Sequence, residues 1–164
     1  MEKEEAMTCL NCGSKMSSRR ENFKYTACGL DYVTLVNVEV LRCKDCGECE
    51  VVIPKIEELH RVLAQIVAQG KSRLRGSEIR FLRKYLGYSG AEAASALSVG
   101  PEWMSKWEND KVPISQGAER FLRLMVVNQQ PAQFYPLKEL LADRADKKPA
   151  PIRLDRDSSW KSAG

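Results

Sequence analysis

Cys9-Leu10-Asn11-Cys12-Gly13 and Cys43-Lys44-Asp45-Cys46-Gly47 are two copies of one pattern, C-x-x-C-G, and they hold the side chains of this chain best suited to chemistry. Two intervening residues let both sulfurs of a turn face one point, and the glycine that follows accepts the positive φ such a turn often needs. Together the turns offer four thiolates in a tetrahedron, so the expected ligand is one structural zinc ion on Cys9, Cys12, Cys43 and Cys46. All six cysteines lie within the first 49 residues. The N-terminus, Met1-Glu2-Lys3-Glu4-Glu5, lacks the basic-then-apolar order of a secretory signal, so metal ligation is favoured over a disulfide framework. Cys46-Gly47-Glu48-Cys49 is a rival C-x-x-C, but glycine follows Cys46 whereas Glu50 follows Cys49. Cys43 is therefore paired with Cys46, and Cys28 and Cys49 are read as bystander thiols. A redox role would need the βαβ context of thioredoxin-like folds, which the pattern lacks.

His60 is the single histidine, which removes most zinc-hydrolase and triad arrangements and suggests a solvated or helix-packing side chain. Neither a P-loop, a Rossmann glycine pattern nor a nucleophile elbow is present, so an enzyme is not expected.

The elements that must position these cysteines are short strands. Tyr32 to Leu41 is rich in β-branched residues and Glu50-Val51-Val52-Ile53 is a second strand candidate, so residues 1–53 read as a small β-rich zinc ribbon with cysteine pairs at its turns. A unit of about 50 residues has little core of its own, and a closed thiolate site contributes on the order of 10 kcal/mol or more to folding. Pro54 ends the β character. Ile56, Leu59, Val62, Leu63, Ile66 and Val67 then recur at helical steps until Gly70, which makes residues 54–75 a connecting helix and linker.

Beyond the linker the signals are helical. Ser77 as N-cap precedes Ile79, Leu82 and Leu86; Ser89 precedes Ala93, Ala94 and Leu97; Pro101 suits a first turn. Two more helices are expected from about Gln116 to Val127 and from about Pro136 to Asp143, giving an all-α, five-helix domain over 76–143. Residues 144–164 lack a repeating apolar face and read as a disordered tail. The fold class is α+β with two domains.

The net charge is +4, too modest to indicate a polyanion partner, but Lys71, Arg73, Arg75, Arg80, Arg83 and Lys84 face only Glu78 between 71 and 84. That concentration could supply phosphate contacts, or it could be a solvated helix face. No apolar run is long enough to span a bilayer, so no membrane partner is expected and the cytoplasm is the expected compartment.

Ala91 to Asn109 carries two short helices around a tight turn. Small Ala93, Ala94 and Ala96 would allow close crossing, and Leu97, Val99, Met104 and Trp107 have the spacing of the wedge between them. The second helix then presents an outward side, with Ser105 and Lys106 on it, of a size that enters a major groove. This stretch resembles the Xre/Cro-type helix-turn-helix superfamily through Ala91-Glu92, Leu97 and Ser105-Lys106-Trp107-Glu108-Asn109-Asp110. With two C-x-x-C knuckles about 34 residues apart and a connecting helix, the arrangement of residues 7 to 130 is similar to the MqsA (YgiT-type) antitoxin family.

The resemblance implies a type II antitoxin. Its zinc domain would bind a toxin, often an mRNA-cleaving endoribonuclease, and its helical domain would dimerise and repress the operon at a palindromic double-stranded operator. It also implies zinc on Cys9, Cys12, Cys43 and Cys46. Lys106 falls where a base-reading arginine would stand and Glu102 where a base-reading asparagine would stand, so the operator should differ from the family's. Gly90 replaces a glutamine that often contacts phosphate, which implies either a lower affinity or that Arg73, Arg75 and Lys111 carry the contact instead. The expected DNA face comprises Gly100, Pro101, Glu102, Trp103, Ser105 and Lys106, with Trp103 either at the groove or against a partner subunit. A stand-alone zinc-ribbon regulator without a toxin is the alternative.

Overall fold

A computed structural model describes residues 7–129, 150–155 and 159–162. The chain is α+β, with an N-terminal sheet and, among the described residues, five helices. It divides into two compact units, one of Met1–Tyr25, Tyr32–Ile56 and Pro149–Gly164, the other of Thr26–Asp31 and Glu57–Lys148.

The first unit is a sheet organised on one long strand. β1 (Met16–Lys24) runs antiparallel to β2 (Val33–Cys43), from Met16 opposite Cys43 to Lys24 opposite Thr34. The other edge of β2 is shared. Its last residues pair with β3 (Cys49–Val52), and its first pair in parallel with β4 (Ala150–Leu154), which in turn pairs with β5 (Trp160–Ser162). Val33 and Leu35 are fully buried, and so are Val38 and Val40. Strict alternation cannot place both pairs inward. The phase changes at Asn37, which takes a left-handed φ of 58° opposite a register shift between Glu21 and Phe23 in β1. Arg20 Nη1 donates to the Asn37 carbonyl at 3.2 Å, and the Asn37 amide donates to Asn22 Oδ1 at 3.3 Å, which satisfies the backbone that the bulge frees.

Two features of this unit depart from expectation. β1 has the sequence MSSRRENFK and, apart from Met16, exposes most of its length, so it carries no apolar alternation to mark it as a strand. Ala150–Leu154 and Trp160–Ser162 belong to the sheet instead of a disordered tail. That hairpin is anchored by Ile152 and Trp160, buried to 0% and 3% exposure, and by Trp160 Nε1 donating to the Pro54 carbonyl at 2.9 Å.

In the second unit α1 (Ile56–Gln69) buries Leu59, Leu63, Ala64, Val67 and Ala68. It is thus a member of the helical unit and not merely a connector. α2 (Gly76–Tyr85), α3 (Gly90–Ala96), α4 (Pro101–Glu108) and α5 (Gln116–Asn128) follow. Ser89 caps α3 in a reciprocal pair with Glu92, Pro101 opens α4, and the Ser115 hydroxyl accepts from the Ala118 amide. The N-cap of α2 is Arg75 and not Ser77: the Arg75 amide donates to Glu78 Oε2 at 2.8 Å, and the Gly76 amide donates to Asp110 Oδ1 at 2.6 Å, a second carboxylate at the positive end of the helix dipole. The helix expected over 136–143 lies outside the described residues.

The segment expected as a linker is held by buried polar groups. Arg123, fully buried, donates to the carbonyls of Val67, Ala68, Gly70 and Ser72 at 2.6–3.2 Å and pairs with Glu119 at 2.7 Å. A cation at the C-terminal carbonyls of α1 satisfies groups the helix cannot, and the carboxylate neutralises it in an interior where an unpaired charge would be costly. Glu119 also accepts from the Leu74 amide at 3.3 Å.

Candidate functional site

The two cysteine turns are built alike. In the first, the Cys9 amide donates to the Ser14 carbonyl at 2.8 Å and the Gly13 amide to the Cys9 carbonyl at 2.9 Å; in the second, Cys43 donates to Glu48 at 2.9 Å and Gly47 to Cys43 at 3.2 Å. Gly13 and Gly47 have φ of 76° and 77°, a region open to glycine at no steric cost, as the spacing requires. Each turn therefore turns both of its sulfurs to one side. β1 and β2 bring the turns together, since Met16 and Cys43 are register partners and Cys9, Met16, Leu41 and Cys43 form a small buried cluster beneath them.

The four sulfurs of Cys9, Cys12, Cys43 and Cys46 all lie within 4.8 Å of one another. Cys9 Sγ is 3.5 Å from Cys46 Sγ, and Cys12 Sγ is 3.4 Å from Cys43 Sγ. Ligands about 2.3 Å from a tetrahedral metal stand about 3.8 Å apart, so the set fits a single ion. The Ser14 hydroxyl and amide hydrogen-bond Cys12 and, with Cys43 and Cys46, lower its pKa to about 6. The amides of Cys46 and Asp45 act in the same sense on Cys43, but burial and its sulfur neighbours leave that thiol raised. Amide hydrogen bonds to sulfur are what a bound thiolate needs to stay oriented and charged. Cys9 and Cys43 are buried while Cys12 and Cys46 are exposed, so a bound ion has two sulfurs on the core side and two toward solvent.

Cys49 opens β3 and does not join the cluster. Cys28 lies in the second unit, beside a cavity of about 110 Å³ lined also by Ser77, Arg80, Phe81 and Lys84. Burial pushes its thiol pKa up, toward the unreactive form. His60 packs edge-on against Phe81, ring centroids 6.1 Å apart, and burial lowers its pKa.

The other expected site is the outer face of α4. Met104 and Trp107 are buried, whereas Pro101, Glu102, Trp103, Ser105 and Lys106 are exposed. Ala93 and Ala94 are buried on α3, which packs against α4, and Leu97 and Val99 are half-buried in the turn between. Gly100 precedes the helix as its N-cap, and the Glu102 carboxylate folds back over it: a Cβ at Gly100 would fall 2.3 Å from Glu102 Oε1. Lys106 Nζ sits 4.6 Å from the centroid of the Trp103 ring. Lys111 is exposed just past the helix, its amide donating to the Lys106 carbonyl at 2.9 Å. Arg75 is exposed ahead of α2, whose first residue abuts Glu108.

Half of the basic run is already committed elsewhere. Arg83 pairs with Glu108, and Arg80 Nε meets the same carboxylate at 3.2 Å. Arg73 donates to the Ile114 carbonyl and lies 3.4 Å from Glu119. Burial alone would raise the Glu108 pKa, but Arg83 and Arg80 hold it below the usual carboxylate value. A count of charges along 71–84 misses this because the neutralising carboxylates stand 25 to 46 residues away. Lys71, Arg75 and Lys84 remain as exposed cations of that run.

No family model matches the chain, and neither a curated protein nor a solved structure matches it. Among the described residues no helix is long and apolar enough to cross a membrane.

Proposed function

We propose that this protein is a sequence-specific, double-stranded DNA-binding repressor in which α3 and α4 form a helix-turn-helix and the cysteine centre holds one structural zinc ion. It acts by binding and not by catalysis. The observation that carries the reading is the division of α4: Met104 and Trp107 anchor one side to the core, while Glu102, Trp103, Ser105 and Lys106 stand exposed on the other. A short helix fixed in this way has the size and the outward side chains to read base edges, and Arg75, Lys84 and Lys111 supply phosphate contacts that position it. Dimerisation would give two such helices and a palindromic operator. Four thiolates at tetrahedral spacing favour a borderline-soft ion such as zinc over hard, oxygen-seeking ions.

Within this reading the chain is the antitoxin of a type II pair in the cytoplasm, its zinc unit neutralising a toxin and its helical unit repressing their operon. The similarity of its part order to MqsA-type antitoxins is the support for that step. Co-expression with the product of the adjacent gene tests it: a co-purifying complex and restored growth are expected. Binding to its own promoter without complex or toxicity would leave a stand-alone regulator, and loss of promoter binding as well would refute the repressor reading itself.

A further inference from the structure

We infer that Trp103, and not the lysine beside it, is the base-reading residue of α4, and that it reads the methyl group of a thymine in the major groove. This rests on the DNA-binding reading above. Three of the exposed polar groups on this face are already engaged by neighbouring groups of the protein. The Glu102 carboxylate is folded over Gly100, the Ser105 hydroxyl lies 3.5 Å from Asn109 Nδ2, and Lys106 Nζ lies 4.6 Å from the Trp103 ring centroid.

Trp103 is the third residue of α4, its amide bonded to the Gly100 carbonyl at 3.0 Å, so it stands in the first turn, where recognition helices meet base edges. Its ring leans on buried Trp107, centroids 6.4 Å apart and tilted by 43°, with the Lys106 ammonium over it. The ring is thus held in place on a residue that is 43% exposed, a large apolar side chain fixed at low further entropy cost. On the major-groove floor the thymine C5 methyl is the apolar feature, and it distinguishes T·A from the other pairs. The ammonium above the ring adds attraction to the phosphates on either side without reading sequence.

The full chain, loaded with its metal, would be used to enrich duplexes from a randomised pool. Each thymidine of the enriched duplex is then exchanged singly for deoxyuridine, which removes the methyl and leaves every hydrogen-bonding group in place. One position per half-site is expected at which the exchange weakens binding about three- to fivefold, the value of burying one methyl-sized group. Trp103→Ala should bind the thymidine and deoxyuridine duplexes equally. Uniformly silent exchanges in a duplex that still binds would overturn the inference, as would undiminished discrimination in Trp103→Ala. A Trp103→Ala chain whose only change is its oligomeric state would do the same and make the residue a subunit contact. If no duplex is enriched, the DNA-binding reading fails at the first step and the inference with it.

Discussion

Replacing Gly76 by alanine should destabilise the helical unit, although helix propensity alone says the opposite. Gly76 is the first residue of α2, and alanine there would gain up to about 1 kcal/mol of propensity. A Cβ at this position, however, would lie 2.5 Å from the Glu108 carbonyl oxygen, 2.7 Å from its carbon and 2.8 Å from the Trp107 carbonyl oxygen. All three atoms are backbone, so no side-chain rotation relieves the clash. Parting α2 from α4 costs toward the upper end of the about 1–3 kcal/mol of overpacking, and it strains the Asp110 cap, worth about another 1 kcal/mol. The net expectation is a loss of about 3 kcal/mol, or a melting temperature lower by roughly 10–20 °C for a domain of this size. Gly90→Ala is the matched control, since Gly90 also opens a helix and nothing lies within 4 Å of its added Cβ. Thermal and urea melts of the metal-loaded chain, followed by helical circular dichroism, would measure both. Gly76→Ala melting at or above the wild-type temperature would refute the close-approach argument.

Removal of the metal by chelation, or Cys12→Ser, should unfold the sheet unit and release one equivalent of metal per chain, whereas Cys28→Ser and Cys49→Ser should retain it; metal analysis with thiol titration distinguishes them. Glu108→Gln should cost about 2–3 kcal/mol at neutral pH, less than a fully buried pair because the Arg80 side chain is 44% exposed. The folded pKa of Glu108 is depressed, so its stabilisation is present above the ordinary carboxylate value and fades as pH falls through the folded one. Wild type and Glu108→Gln should therefore converge in urea melts at acid pH, and a constant gap would count against the ion pairs. Trp160→Ala should cost about 3–5 kcal/mol in the sheet unit, read from its melting with metal bound.

The cysteine turns were legible because their chemistry is local. Two residues between thiols and a following glycine determine each turn, and the same hydrogen bonds recur in both. The helices were legible where caps and apolar stripes agree, as at Ser89 and Pro101. What stayed hidden depends on partners distant in sequence. The special place of Gly76 comes from α4, the neutralisation of Arg80 and Arg83 from Glu108, and the order of residues 70–75 from Arg123 and Glu119. A sequence reader sees six cations between 71 and 84 and has no means of knowing that three answer to carboxylates elsewhere.

The same contrast explains the C-terminal strands, and it bears on how the cysteine centre is held. Nothing local marks Ala150 to Leu154 as a strand; its pairing partner is Val33 to Val36, more than a hundred residues earlier. A strand of five residues whose one local partner is the three-residue β5, and whose place in the sheet is set by so distant a partner, leaves little periodicity to detect. Yet the strand it completes is the one that ends in Cys43. β2 is braced at its start by β4, at its end by β3 and along its length by β1, so the register that sets Cys43 opposite Met16 depends on both ends of the chain. The strands β4 and β5 are therefore part of the support of the cysteine centre, and their loss should loosen the geometry of the four sulfurs.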